Sequence, residues 1–153
     1  MLLLFLQTGF SLVMEMKEHD RDIFGKLVVQ LYQHKLINSS NLINLFQHLF
    51  ETVEEIIIDV PQGINHICKL LGKLVGGDII DLLFLKESLS PHVVESGRAE
   101  SILRELLKSI CKESNAEKVK AVMEDNDIQL KDFIFAFDKE KKSKFSESVN
   151  FLV

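Results

Sequence analysis

The sequence predicts an all-α protein built from stacked antiparallel helical hairpins, a HEAT- or armadillo-like α-solenoid. Three observations support this fold class. Apolar residues recur at helical spacing along most of the chain, no segment shows convincing two-residue alternation, and only a few residues join successive helical segments. One short helix pair cannot bury its own apolar stripe, so consecutive pairs must stack on one another.

The first ten residues, MLLLFLQTGF, are strongly apolar but match neither a secretion signal nor a membrane span. They lack a basic leading region, Gln7 interrupts the apolar run, and the run is far shorter than the roughly 20 residues that cross a bilayer. We therefore expect a buried helix and no membrane partner. Because the chain opens directly on core-like sequence, with no cap or polar lead, we also expect its start to lie inside a domain.

Two amphipathic segments follow, at residues 17–36 and 40–55, and predict a helical hairpin with a short joint. The second segment has the clearest apolar stripe in the chain, formed by Leu42, Leu45, Phe46, Leu49, Phe50 and Val53. Asn38-Ser39-Ser40 precedes this stripe and supplies oxygen atoms that can cap the first turn of a helix.

The next two segments are separated by Gly76-Gly77. The apolar stripe from Ile64 to Val75 predicts a helix that ends where a glycine can adopt the left-handed conformation. Asp78 is then expected to cap another helix, over residues 79–85.

The last helices are predicted around residues 102–110 and 119–123, and Asn115 can cap the second of them. Ser90-Pro91 marks an earlier helix boundary, since proline favours the first turn of a helix. Residues 138–153 mix charges of both signs and are expected to form a solvated C-terminal helix or tail.

Composition and motifs argue against an enzyme, a metal site and a nucleic-acid-binding surface. The net charge is −5, whereas phosphate backbones are held by clustered lysine and arginine. The phosphate, dinucleotide, zinc-protease and acyl-transfer motifs GxxxxGK[ST], GxGxxG, HExxH and GxSxG are absent. The histidines are scattered, and Cys68 and Cys111 fall within apolar helical patterns, so we expect reduced core thiols, no metal and no cofactor.

The stretch EEIIIDVP, residues 54–61, is the strongest candidate for a functional site. Pro61 should end the preceding helix and lie near the first position of the next one, with Asp59 close to the cap of that next helix. Glu54 and Glu55 would then lie at the C-terminal end of the preceding helix, where the helix dipole disfavours negative charge. Acidic residues in that position suggest a cationic partner, and solvated surface charge is the alternative.

Two stretches of the chain resemble the MA3 domain of the translation initiation factor 4G family, the large scaffold of the cap-binding complex. The first runs from FLQTGFSLVM at residue 5 to KLLGKLV at residue 75. It contains Phe24-Gly25-Lys26-Leu27, an apolar helix closing on acidic residues, and Asp59-Val60-Pro61. The second, LRELLKSICKESNAEKVKAVMEDNDIQLKDFI, contains Leu130-Lys131-Asp132-Phe133. The colinear order of these features predicts an MA3 domain over residues 1–137 that lacks its first helix pair.

The resemblance implies a HEAT-related fold and a cytoplasmic, monomeric, non-enzymatic adaptor that binds the DEAD-box RNA helicase of translation initiation, factor 4A. It places Glu55, Asp59 and Pro61 at the contact with basic residues of the helicase, with Glu54 beside them. Contacts with the cap-binding complex or mRNA would run through other parts of such a scaffold. Two alternatives stay open: an MA3-type translation inhibitor that sequesters the same helicase, and a helical enzyme or ligand-binding protein of unrelated function.

Overall fold

The computed structural model describes residues 1–133, 147 and 149, with Leu130 described by its backbone only. Within these residues the chain is helical and contains no β-strand, which confirms the predicted fold class. The helices are α1 (Leu2–Met14), α2 (Glu18–Gln33), α3 (Ser39–Glu51), α4 (Val53–Asp59), α5 (Gly63–Gly76), α6 (Leu85–Ser88), α7 (Pro91–Glu95), α8 (Arg98–Glu113) and α9 (Ala116–Asp125), followed by a 3-10 turn (Leu130–Asp132). The segment predicted as a tail, residues 138–153, lies almost entirely outside the described residues.

Helix α1 organises the N-terminal part of the molecule because it contacts both α2 and α3. Phe10 of α1 packs against Phe24 of α2 with ring centroids 5.9 Å apart, and a Cβ at Gly9 would lie 2.9 Å from the Phe24 ring. Helices α2 and α3, the two segments predicted as a hairpin, have few direct contacts with each other. The apolar stripe of α3 is therefore covered partly by α1.

One face of α1 is buried and the opposite face is exposed. The buried side chains are Leu6, Phe10 and Met14. The exposed apolar side chains include Leu4, Phe5 and Leu12, each exposed by more than half. Even with this apolar face, no helix in the described part of the chain is long and apolar enough to cross a membrane.

The centre of the molecule is the contact between α5 and α8, which is the most extensive contact between any two helices described. Three neighbouring pairs follow the same order along both helices, namely Cys68 with Ile102, Gly72 with Ser109, and Gly76 with Glu113. The two helices therefore run in the same direction, as equivalent helices do in successive hairpins of a helical solenoid. A Cβ at Gly72 would lie 2.5 Å from Ser109 Cβ and 3.0 Å from the Ser109 carbonyl carbon. Only glycine permits this approach of the two backbones.

Most predicted helix starts are confirmed. Backbone N–H groups in the first turns of α3 and α9 donate to the predicted capping oxygens of Asn38 and Asn115, at 2.9 and 2.7 Å. Helix α7 begins at Pro91, at the predicted boundary, and Ser90 Oγ accepts a hydrogen bond from the Val93 N–H at 3.4 Å. The predicted end of α5 is wrong in detail. Gly77 has a φ of −90°, and the left-handed conformation falls on Asp78, with a φ of 57°. Asp78 therefore closes α5 and does not cap a following helix.

Residues 77–84 are irregular, so the helix predicted over residues 79–85 is wrong. The Ile79 carbonyl accepts a hydrogen bond from Ser39 Oγ at 3.2 Å, and the Leu82 N–H donates to Asn126 Oδ1 at 3.1 Å. These tertiary hydrogen bonds satisfy backbone groups that a helix would otherwise pair internally. Ile80, Leu82 and Phe84 reach the core through this irregular path, whereas Leu83 is exposed.

Burial distinguishes the two cysteines. Cys68 is fully buried, and its Sγ donates to the Ile102 carbonyl at 3.4 Å, whereas Cys111 is partly exposed. Burial raises the pKa of the Cys68 thiol far above its ordinary value, and the negative charge of Glu105 adds to this shift. Cys68 is thus an unreactive core thiol, as predicted, and Cys111 lies only at the edge of the core.

The close approach at Gly72 predicts opposite effects for two glycine-to-alanine substitutions. Gly72→Ala should lower the free energy of unfolding by about 1–3 kcal/mol, because the added methyl group overlaps backbone atoms of α8. Gly25→Ala should raise it by up to about 1 kcal/mol, since Gly25 lies inside α2 and its added Cβ would make an ordinary contact at 3.5 Å with Lys73 Cδ. Urea denaturation measures both values, and equal effects would contradict the packing described here.

The two cysteines should differ in their rate of alkylation. In the folded protein, iodoacetamide should modify Cys111 roughly tenfold or more faster than Cys68, because the thiolate reacts and Cys68 is both buried and protonated. Peptide mass spectrometry over a time course measures the two rates. The difference should vanish in denaturant, and equal rates in the native protein would count against the burial of Cys68.

Candidate functional site

The acidic stretch forms a separate short helix, α4, that lies between Thr52 and Val60. Helix α3 ends at Thr52, whose Oγ1 donates to the His48 carbonyl at 2.9 Å, and α4 begins at the next residue. The prediction of one helix continuing to residue 55 is therefore wrong. A signal for the break was present, because Thr52 and Glu55 have the spacing of a capping box. The structure uses the Thr52 side chain to close α3 instead.

Glu54 and Glu55 lie in the first turn of α4 and not in the last turn of the preceding helix. Negative charge near a helix N-terminus is favourable by about 0.3–1 kcal/mol. The helix dipole thus gives no reason to expect a partner for these two residues. Asp59 is the last residue of α4 and not a cap of α5, so Asp59 is the acidic residue that opposes a helix dipole.

Pro61 turns the chain between α4 and α5 but does not begin α5. Val60 is extended, with φ −125° and ψ 92°, as expected for the residue before a proline. Helix α5 begins at Gly63, after Gln62. A Cβ at Gly63 would lie 2.6 Å from Ile56 Cγ2, so glycine at this position lets α4 fold closely onto the start of α5.

Glu54 connects α4 to the junction of α7 and α8. Its Oε1 accepts a hydrogen bond from Ser96 Oγ at 3.4 Å and lies 3.6 Å from Arg98 Nε. The Arg98 and Glu54 side chains are 42% and 41% exposed, so the ion pair contributes at most about 1 kcal/mol. Its main effect is to hold α4 against the start of α8.

Glu55 and Asp59 lie one turn apart on the outer side of α4, and both are exposed. Neither forms an ion pair with any described residue. Ile58 lies beside them on the same side of the helix and is 81% exposed. Exposed Pro61 follows at the end of α4. We call the surface formed by Glu55, Ile58, Asp59 and Pro61 the α4 face.

Sequence reasoning missed Ile58 because it treated the three isoleucines of this stretch as one apolar run. Ile56 and Ile57 pack against the core, and Ile58 does not. Helical spacing was the available signal, since residues three and four apart share a side of a helix. That spacing groups Ile58 with Glu55 and separates it from the isoleucines that pack inward.

The α4 face is suited to binding a protein. An exposed apolar side chain with carboxylates beside it complements an apolar pocket bordered by lysine or arginine. Among residues 1–133, 147 and 149 there is no group of three or more His, Cys, Asp and Glu side chains placed to hold a metal ion.

Comparisons with known proteins relate the chain to one family. The family model described as the MA3 domain matches residues 3–81. The chain is 27% identical to human eukaryotic translation initiation factor 4 gamma 3 over 94% of this chain and 10% of that protein. It is 23% identical to rabbit eukaryotic translation initiation factor 4 gamma 1, over 78% of this chain and 8% of that protein. It is 22% identical to eukaryotic translation initiation factor 4G of Cucumis melo, over 80% of this chain and 7% of that protein. The chain thus spans a tenth or less of the length of these relatives, and no solved structure matches it.

Asp59 should destabilise the folded protein slightly, whereas Glu55 should stabilise it. Asp59→Asn should raise the free energy of unfolding by about 0.3 kcal/mol or more, because it removes a negative charge from the C-terminal end of α4. Glu55→Gln should lower the free energy of unfolding by a similar amount, since Glu55 lies at the favourable end. Thermal and urea denaturation of both variants measure this, and a loss of stability in Asp59→Asn would show that Asp59 has a structural role.

Proposed function

The chain belongs to the MA3 domain family, and from this premise we propose that it is a translation initiation module that binds the DEAD-box RNA helicase factor 4A by direct protein contact. The relatives described above are named as translation initiation factors. In this role the chain is a cytoplasmic adaptor without an enzymatic activity of its own. The helicase surface that it contacts carries lysine or arginine side chains.

The composition of the α4 face is the observation that carries this assignment. Burial of Ile58 in a partner would contribute about 1.5–3 kcal/mol, because this side chain is almost fully exposed in the free chain. The carboxylates of Glu55 and Asp59 would select a cationic partner and accelerate the encounter. Arginine could bind either carboxylate through two parallel hydrogen bonds.

Helix α4 is packed against its neighbours and is not part of a loop. The close contact of Ile56 with Gly63 holds α4 on α5, and the exposed Glu54–Arg98 pair adds a weak contact with the start of α8. A preformed surface loses less conformational entropy on binding than a mobile loop does. Among the four predicted site residues, Glu54 therefore supports the face, and the other three are available to a partner.

Removal of both carboxylates tests the proposed contact. Glu55→Ala combined with Asp59→Ala should weaken binding of the purified helicase by roughly tenfold or more, which would abolish its co-precipitation with the chain. Binding of the unmodified chain should weaken as salt concentration rises, since the partner charges are screened. Isothermal titration calorimetry measures the affinities, and circular dichroism checks that the variant remains helical.

A matched control removes two other acidic residues. Glu124→Ala with Asp125→Ala changes the net charge equally at the exposed end of α9 and should leave the affinity unchanged. Ile58→Ser should weaken binding by about as much as the double carboxylate variant, and Glu54→Gln should have a much smaller effect. Undiminished binding by a folded Glu55→Ala, Asp59→Ala variant would remove the α4 face from the interface.

A further inference from the structure

A second surface feature lies away from the α4 face, where α2, α5 and α8 enclose an open cleft of about 400 Å³. Its size falls within the range of ligand pockets in proteins. Helix α5 contributes Leu70 to the lining, and Gly25 of α2 faces the Lys73 stem, with 3.5 Å between Lys73 Cδ and a Cβ built at Gly25.

The cleft is positively charged on a protein that is negative as a whole. Among the residues that the structure describes, six lysine or arginine side chains and four acidic side chains line it, whereas the complete chain has a net charge of −5. Two of the lysines are paired with acidic side chains. Lys69 Nζ lies 2.6 Å from Glu18 Oε1, and Lys108 Nζ lies 3.6 Å from Glu105 Oε1.

Three lysines of the cleft differ from these paired ones. Lys26 of α2, Lys73 of α5 and Lys112 of α8 form no ion pair with any described residue. Each of the three helices therefore contributes one ammonium group that is available to an anion entering the cleft. Lysine binds phosphate as a compact point charge with three donors.

The positive charge of the lining also lowers the pKa values of two side chains in the cleft, Glu18 and His66. The hydrogen bond and charge of Lys69 hold the pKa of Glu18 below its ordinary value. Burial lowers the pKa of His66, and the charges of Arg21 and Lys69 lower it further. Arg21 Nε and His66 Nδ1 are buried and have no hydrogen-bond partner among the described residues. An ordered water or a ligand in the cleft would satisfy such nitrogens.

We propose that the cleft between α2, α5 and α8 binds a phosphate monoester carried by a phosphoserine or phosphothreonine of a partner peptide. A phosphorylated side chain carries a charge of about −1.5 to −2 at neutral pH, which balances the excess of two positive charges in the lining. The three unpaired lysines would surround the phosphate. The stems of the lysines and Leu70 would contact the peptide chain beside it.

Two features of the lining favour a peptide over a nucleotide or RNA. The described residues that line the cleft include no phenylalanine, tyrosine or tryptophan on which a nucleobase could stack. Glu18, Asp22, Glu105 and Glu113 stand among the cations. They would repel a long polyanion more than a single phosphate group.

The direct test uses the full chain labelled with ¹⁵N and the capped peptide Ala-Ala-phosphoSer-Ala-Ala. The peptide should shift backbone amide resonances within residues 18–26, 66–73 and 105–113. It should bind roughly tenfold or more tightly than the same peptide without phosphate. The His66 pKa, followed through its ring proton resonances, should rise when peptide is bound, because an anion stabilises the imidazolium form.

Three lysine substitutions should remove most of this binding. Lys26→Gln, Lys73→Gln and Lys112→Gln together should lower the affinity for the phosphopeptide about tenfold. Each partly exposed charge contact should contribute a factor of a few at most. The matched control, Lys35→Gln, Lys120→Gln and Lys131→Gln, changes the net charge equally at exposed positions outside the cleft and should not alter binding. If the triple variant misfolds, the double variant Lys26→Gln, Lys112→Gln retains the packed stem of Lys73 and should still weaken binding.

Other probes decide between sources of phosphate. AMP carries the same monoester and should bind no more tightly than the peptide, and oligouridylate should bind more weakly. Tenfold tighter binding of AMP or of oligouridylate at these resonances would overturn the peptide assignment. Equal affinity of the folded triple variant and the unmodified chain for the phosphopeptide would overturn the site itself.

Discussion

The van der Waals contact between the backbones of α5 and α8 is the constraint on which the rest of the structure depends. Gly72 brings the helices so close that a single methyl group would overlap Ser109. Their other neighbours then take their positions from this pair, with α4 folded on the start of α5 and α7 and α9 against α8. Both candidate binding surfaces are consequences of the same contact. The α4 face is held at the N-terminal end of α5, and the lysine cleft uses α5 and α8 together with α2.

Helical periodicity predicted the fold class and most helices, because the apolar residues of α3, α5 and α8 recur at helical spacing and are the residues that each helix buries. Capping oxygens predicted the starts that follow Asn38 and Asn115, and proline predicted the start at Pro91, since the residues that begin a helix are close in sequence. The errors fall where distant groups intervene. Residues 79–85 looked helical, but Ser39 and Asn126 bind the backbone of that segment from about 40 residues away. No pattern within the segment could reveal these partners.

The candidate site was predictable to the same limited extent. The sequence pattern placed Glu55 at the end of one helix and Asp59 near the cap of the next, close enough to form one negative surface. The structure instead places both residues on a single helix, α4, one turn apart. The prediction that Glu54 and Glu55 lie at the C-terminal end of a helix was wrong. The helix breaks at Thr52, whose side chain forms a hydrogen bond that competes with continuation of the helix. Glu54 was grouped with Glu55, whereas its pairing with Arg98 requires the tertiary fold. Ile58 became visible only when its two isoleucine neighbours were seen to pack inward.

The parallel arrangement of α5 and α8 also governs the order in which the chain can acquire structure during translation. The contacts that bury the largest part of α5 come from α8, about 37 positions later, across two short helices and irregular chain. In a nascent polypeptide that has left the ribosome only as far as α6, α5 can contact α2, α3 and α4, but the side that packs on α8 is still exposed to water. Such intermediates invite chaperones and self-association. Folding of this half of the molecule must therefore wait until the last turn of α8 has emerged, and slow codons placed before that point would prolong the exposure.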